Sequence, residues 1–487
     1  MRFRRTLLLA ALFVVGPLAP TARGQAGPIA RTGLGQTAPL VIPAFGQDTT
    51  ACPQCVIPKK IGRASWELVL TQLIPWSFNH FVRDAEWASI SPAVWWTNLQ
   101  NPWQWDNNAF LNNQFSHPYH GSLYFNVGRT NGFNFWESAL WSFGGSFMWE
   151  IMGEQWAPAP NDLLNTGMGG ITLGEMLFRA SSLALDNTAT GFERTMREIA
   201  GTLLDPVRGF NRILDGQMND VTQNPADWRP SKNRASLDMG NRHTSGNRGT
   251  GPKNSGDQFF VELELDYGDS IDDLDKKPFS FMEVTVGLAE KFNGSRAIQD
   301  LHARGSLAAK TIGQTDKAVH RLAAFMTYDF FGQPSFEYGA QGFQGGLVSR
   351  FGKANGLRLH TELLGVFQPV AALQSDYFLT EEGRDYDYGV SMGTTALARL
   401  TKQGFGYLEA QGTWLWTGII SGFNGDHNQY SLNLEGKIYP IGGRLGIGGG
   451  LTWYHKKSDY NTLEDVSVDG FQSRIFAALS IPRWNKD

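Results

Sequence analysis

Phe259-Phe260-Val261-Glu262-Leu263-Glu264-Leu265-Asp266 decides how the chain is read. Apolar residues at 259, 261, 263 and 265 alternate with mostly acidic ones, the period of two that sends successive side chains to opposite faces of a strand. The alternation recurs after Pro230, for example at Ala235, Leu237 and Met239, at Met282, Val284, Val286 and Leu288, and at Ile475, Ala477, Leu479 and Ile481. About twelve such strands are expected, most reaching the roughly 9 to 11 residues of a tilted membrane strand.

Connections sharpen the reading. Short ones are expected at Gly313–Asp316, Gly352–Gly356, Lys402–Gly404 and Ile441–Gly443, and long polar ones at Gly246–Ser255, Leu373–Asp385, Ser421–Asn428 and His455–Asp469. With Tyr267, Trp416 and Trp453 near strand ends, this asymmetry favours an antiparallel transmembrane β-barrel over a soluble barrel or sandwich, whose apolar face would point inward. One departure is Pro482 and the ending Trp484-Asn-Lys-Asp, where such barrels often finish on an aromatic residue. The inward face is dense with charge of both signs, including Glu262, Glu264, Glu283, Arg304, Glu362, Glu435, Lys437 and Arg474, so a salt-bridged, filled lumen is expected rather than an open ion-selective pore.

The N-terminus fits export. Arg2, Arg4 and Arg5 precede the apolar run Leu7 to Val15, and small residues follow at Ala22, Gly24 and Ala26, the pattern of a cleaved signal peptide. The chain divides on this reading into a signal peptide (1–26), a linker (27–64), a helical domain (65–230) and the barrel (231–487), an α+β fold. The linker holds both cysteines, Cys52 and Cys55, read as a local disulfide or two thiols without a role. A net charge of -4 argues against a nucleic-acid partner.

In the helical domain, Ser65 to Arg83 is a helix interrupted at Pro75. Asn134 to Gly153 is a second, with Ser138, Ser142, Gly145 and Trp149 along one side. Gly167, Gly170 and Gly174 form a small-residue ridge on a third, Asp162 to Leu185, capped by Asn161 or Asp162. The second and third are expected to press together as a tight hairpin that plugs the lumen or docks on its periplasmic mouth. A further amphipathic helix runs from Phe192 to Leu204.

Polar groups gather between residues 117 and 179. His120, Glu150, Asp162 and Glu175 are the candidates for acid–base catalysis, in which burial raises the pKa of one carboxyl of a pair. The plainer reading is capping and ion pairing: Glu175 and Arg179 stand four apart on one helix, and Asp162 suits a helix start. His117, His120 and Glu137 have the donor types of a metal site, but Pro118 argues against a helical pairing of the two histidines, so no metal is assigned. Neither a nucleophile elbow nor a phosphate-cradling loop occurs, and no cofactor is indicated.

Several spaced motifs occur in order: His117-Pro118-Tyr119-His120-Gly121, Asn134-Phe135-Trp136, Trp149-Glu150, Asn161-Asp162, Gly169-Gly170 and Gly174-Glu175, then Arg179. From about Ser65 to Asp186 the chain resembles a bacterial family known only as domain of unknown function 3943. The resemblance implies an exported, outer-membrane protein and supplies no activity. A weaker similarity links Glu154-Gln155, Asp162 and Asn165 to VanZ-like proteins; the usual Arg is missing, so it bears on hairpin architecture alone.

The function expected is therefore that of an outer-membrane barrel with a helical plug or periplasmic domain, in an envelope structural or transport-related role. The alternatives are an outer-membrane enzyme acting on lipid or another envelope substrate, and a soluble periplasmic binding protein. Expected partners are outer-membrane lipid and the barrel-assembly machinery during insertion; the substrate is unassigned.

Overall fold

The computed structural model describes residues 58–230, 232–247, 253–274, 277–290, 298–333, 336–352, 356–379, 384–441 and 443–481. The expected signal peptide, both cysteines, most of the linker and the unusual C-terminal residues lie outside them.

Twelve antiparallel strands follow one another around a closed barrel: β1 (Asn233–Asn247), β2 (Lys253–Tyr267), β3 (Met282–Ala289), β4 (Ile298–Gln314), β5 (Ala318–Gln333), β6 (Phe336–Phe351), β7 (Leu357–Leu379), β8 (Arg384–Lys402), β9 (Gly406–Ser421), β10 (Gly425–Ile441), β11 (Leu445–Tyr460) and β12 (Val466–Ile481). β1 closes on β12 with Ala235 opposite Ile481, which leaves no free sheet edge.

The alternation sorts side chains as a membrane barrel requires. Phe259, Leu263, Leu363, Leu408, Ile447 and Ile475 are exposed outside, whereas Asp238, Arg242, Glu262 and Lys437 are buried. A soluble barrel would reverse these faces, so the soluble binding-protein reading is overturned. The chain is an outer-membrane-type β-barrel preceded by a helical domain. No helix among the described residues is long and apolar enough to cross a membrane.

Inside, charge is paired. Lys437 Nζ lies 2.6 Å from both Asp238 and Glu264, and Arg304 lies 2.5 Å from both Glu283 and Glu362. Arg474 bridges Glu262 and Glu435. Asp238, Glu262 and Glu264 are close enough to share a cation, and the Lys437 ammonium already serves that purpose. A cavity of about 400 Å³ remains, lined by all twelve strands and by no helix.

Two expectations need correction. What packs into the lumen is the β2–β3 connection, through residues 269–274 and Phe281, and not the helices. Ile271, Leu274 and Phe281 pack against the inward-facing Ala323, Phe325, Val348 and Leu364, and Arg350 holds Asp269 and Asp272. The long polar loops are largely strand: pairing continues through His427↔Ser458 to Gly425↔Tyr460, and β7 runs to Leu379. Both faces turn polar there, so hydrophobic alternation fades while the backbone ladder persists.

Eight helices precede the barrel: α1 (Ile61–Phe81), α2 (Pro92–Gln100), α3 (His117–Thr130), α4 (Phe135–Met152), α5 (Pro160–Leu164), α6 (Gly170–Ala184), α7 (Gly191–Leu204) and α8 (Pro206–Leu214). They pack against the barrel's outer wall. Tyr267, Met282, Leu301, Tyr328, Tyr386 and Tyr388 all point away from the lumen and are buried with Phe110, Phe125, Met168 and Ile171 of the helical domain. The helical plug and the periplasmic cap both give way to this wall-mounted arrangement.

Because Ile271 and Leu274 close the lumen, replacing both with Ser is expected to raise single-channel conductance in planar bilayers well above that of the parent protein. Equal conductance of the two would show that this connection does not occlude the barrel.

Candidate functional site

The site is built by three close-packed helices. A capping box starts α4: Asn134 Oδ1 accepts from the Glu137 backbone N–H, and Glu137 Oε2 accepts from that of Asn134, each at 3.0 Å. Glu137 is thereby a cap rather than a metal ligand. Pro118 is the second residue of α3 and follows directly on a π-helical turn, Asn112–Ser116, the local widening of a helix that accommodates a residue without an N–H. Both histidines are therefore helical, contrary to expectation. They diverge: His117 Nδ1 lies 3.1 Å from Thr166 Oγ1, while His120 Nε2 lies 3.1 Å from the Thr71 carbonyl.

The glycine ridge packs differently from the expected hairpin. Its principal partner is α3: a Cβ on Gly121 would fall 1.8 Å from the Thr166 carbonyl oxygen, and one on Gly170 would fall 2.6 Å from the Gly121 Cα. α4 completes the contact through Ser142, whose hydroxyl donates to the Gly167 carbonyl at 3.0 Å. The third helix is also divided. Residues 165–169 form a π-helical turn between α5 and α6, and neither Asn161 nor Asp162 is the cap. Asn161 instead accepts from the Asp106 backbone N–H at 2.9 Å and donates to Asp162 Oδ1 at 2.7 Å and to the Tyr388 hydroxyl at 3.2 Å.

At the end of the wall nearest the β7–β8 turn, α3, α4 and α5 gather an acidic cluster. Asp162 Oδ2 lies 3.7 Å from His117 Nε2. Glu150 accepts from the Ala159 backbone N–H at 2.8 Å, and Glu154 accepts from the Trp149 indole at 2.7 Å. Neither Lys nor Arg pairs with Glu150, Glu154 or Asp162 among the described residues. Burial, then the like charge of neighbouring carboxylates, pushes Glu150 and Asp162 well above the usual carboxylate range. Burial also lifts Glu154 to about 7 and lowers His117 and His120 to about 4. At neutral pH the cluster thus offers protonated carboxyls beside neutral imidazoles, groups able to give and take protons.

The fourth candidate is elsewhere. Glu175 is fully buried between Arg129, 2.7 Å away, and Arg179, 2.9 Å away, and Arg179 also reaches the Tyr267 hydroxyl at 3.3 Å. Glu175 ties the helices to the wall near the chain-terminal end of the barrel. Of the remaining motif residues, Trp149 stacks edge-on to His120, Gly174 admits the Phe125 ring, and Tyr119 lies partly exposed. Sequence reasoning missed Asp106, Asn113, Tyr386 and Tyr388. Asn113 donates to the Tyr386 hydroxyl at 2.8 Å, and Arg384 donates to the Asp106 carbonyl at 3.1 Å. The signal was present in Asp385-Tyr386-Asp387-Tyr388, a pair of aromatics two apart directly after what reads as a polar loop.

Residues 102–207 match the family model of a domain of unknown function, DUF3943. The DUF3943 match contains every residue of the acidic cluster and the Glu175 ion pair, and it starts later than the resemblance from Ser65 suggests. No curated protein matches the chain. Solved structures similar to it include the COG4313 outer membrane channel from Pseudomonas putida F1, at 9% identity and TM-score 0.28 over 53% of this chain and 100% of that one. Another is the outer membrane channel DcaP of Acinetobacter baumannii, at 7% identity and TM-score 0.23 over 51% and 96%. A third is a loop-deletion mutant of OmpT from Vibrio cholerae, at 8% identity and TM-score 0.20 over 51% and 99%. Likeness this slight carries no functional weight; the barrel rests on its own strand register and faces.

Removing the charge of Glu175 leaves two buried guanidinium groups unpaired, which costs about 3–5 kcal/mol. Glu175→Gln is therefore expected to loosen the helical domain, measured as faster limited proteolysis between residues 58 and 230, while the barrel keeps heat-modifiable migration. Glu150→Gln, which lacks a cationic partner to strand, is expected to leave proteolysis unchanged.

Proposed function

We propose that this protein acts on an envelope molecule by acid–base chemistry, with the barrel as its anchor in the outer membrane and the helical domain as the working part. The observation that carries the reading is the cluster beside His117 of buried Glu150 and Asp162 with half-buried Glu154, none of them paired with Lys or Arg among the described residues. Such a group set is costly to bury and is the kind retained for proton transfer. Asp162, in reach of His117, is the proposed general acid; Glu154, whose proton is exchangeable near neutral pH, is the proposed base. His120 and Glu150 position them, through Tyr124 and Trp149 on one side and the Ala159 backbone on the other.

An envelope structural role is the second reading, favoured by the Asn161–Tyr388 and Asn113–Tyr386 bonds, which dock the helices on the wall. Transport through the lumen would require Ile271 and Leu274 to leave it. On either reading, residues 1–26 are proposed to export the chain, 27–64 to link, 65–230 to form the helical domain and 231–487 to enter the outer membrane with the help of the barrel-assembly machinery.

Deletion of the protein is expected to change the lipid or envelope-glycan profile read by mass spectrometry. Asp162→Asn and Glu154→Gln should each reproduce that change while keeping normal amounts of folded, heat-modifiable protein. A deletion profile identical to the parent's, or full complementation by both variants, would sink the acid–base reading and leave the structural one.

A further inference from the structure

The helices of this domain are turned inside out relative to those of a water-soluble one. In α1, Glu67 and Gln72 are buried at 2% and 7% exposure, whereas Val69, Leu70, Leu73 and Ile74 are 37–47% exposed. The buried polar groups are satisfied within the domain: Asn131 donates to Glu67 at 2.5 Å, and Gln72 donates to the Gly145 carbonyl at 3.0 Å. Arg63, with Glu67 one of the two Asp, Glu, Lys or Arg residues in α1, turns back to Glu67 and Asp215. α4 repeats the pattern. Ser138, Ser142 and Ser146 are buried, while Trp136, Leu140 and Phe147 are exposed, Leu140 at 74%.

We propose that this apolar outer face of α1 and α4 is a lipid-facing surface, covered by the acyl chains of the outer membrane. The occupant follows from continuity. The domain lies on the outward faces of β2 to β8, from Tyr267 beside the chain-terminal end to Tyr386 beside the β7–β8 turn, so it stands within the barrel's lipid-exposed belt. Strand residues around it on that wall, Phe343, Leu363, Phe367 and Met392, are themselves exposed and apolar. A hydrophilic face there would put charge into the belt; the face presented carries none between Ser65 and Phe81. α1 is 21 residues long, about 30 Å at 1.5 Å per residue, matching the hydrocarbon thickness of a bilayer. Its buried Glu67 and Gln72 need the other helices as partners, so α1 does not stand as an isolated span. Buried polar groups with large exposed apolar faces are the informative departure from ordinary burial.

The inference does not depend on the acid–base reading. Should both hold, the substrate of the acidic cluster is a membrane lipid reached laterally from the bilayer.

The test is spin labelling of the full-length protein in liposomes of phosphatidylcholine and phosphatidylglycerol, with Cys52 and Cys55 changed to Ser. Labels go on Leu73→Cys and Leu140→Cys, with Leu263→Cys on the bare barrel wall and Asp220→Cys on an exposed turn as references. Power saturation is expected to find residues 73 and 140 accessible to oxygen and shielded from a water-soluble nickel chelate, as at 263. Chelate accessibility matching that at 220 would overturn the proposal by placing the face in water. Exclusion of both reagents would also overturn it, by placing a second protein copy there. Heat-modifiable migration of each labelled variant verifies folding, and neither readout involves activity.

Discussion

The contact between the helical domain and the outer wall of the barrel sets the terms for everything else. Tyr267, Tyr328, Tyr386 and Tyr388 each carry a hydroxyl on a face that elsewhere meets lipid, and each hydroxyl finds a partner in the helices or the segments beside them. An unpartnered hydroxyl facing hydrocarbon is costly, so the tyrosines need the helices as much as the helices need the wall. The apolar rings supply the burial, and the hydroxyls fix where along the wall each helix sits.

Close approach among the helices follows from that constraint. A domain that turns apolar side chains outward has little bulk left for its interior, so its helices are joined through glycine and serine backbone contacts and paired polar groups. Gly121 against Gly170, Ser142 against the Gly167 carbonyl, and Glu175 between two arginines are successive steps of this packing. The acidic cluster is the exception, since its carboxyls are buried without cations. That imbalance distinguishes Glu150, Glu154 and Asp162 from Glu175, although all four look alike in sequence.

The barrel was legible because a period of two is a local signal, carried by stretches such as Phe259 to Asp266, and because charge on the opposite face betrays a paired lumen. The helix spanning Asn134 to Gly153 was legible through its small-residue stripe. What stayed hidden depends on contacts distant in sequence. Alternation identifies two faces of a wall without saying that helices cover one of them. The ridge Gly167, Gly170 and Gly174 announces a close partner without naming it, and α3 was obscured by Pro118. Ile271 and Leu274 look like loop residues until the inward faces of β5, β6 and β7 are assembled around them. The pairing of Asn161 with Tyr388 spans 227 positions, and nothing local to either residue announces it.

The central claim is that the helices lie on the outside of the wall. Gln114 precedes α3, and Gly339 faces outward from β6; a Cβ added at Gly339 would fall 2.8 Å from that of Gln114, so a relaxation of about 1 Å brings the pair to disulfide geometry. In a background lacking Cys52 and Cys55, the pair Gln114→Cys and Gly339→Cys is predicted to form a disulfide in the folded membrane protein, seen as a mobility shift reversed by reductant. Absence of that bridge, with one forming instead between Gln114→Cys and the lumen-facing Tyr338→Cys, would put the helices inside the barrel and contradict the account.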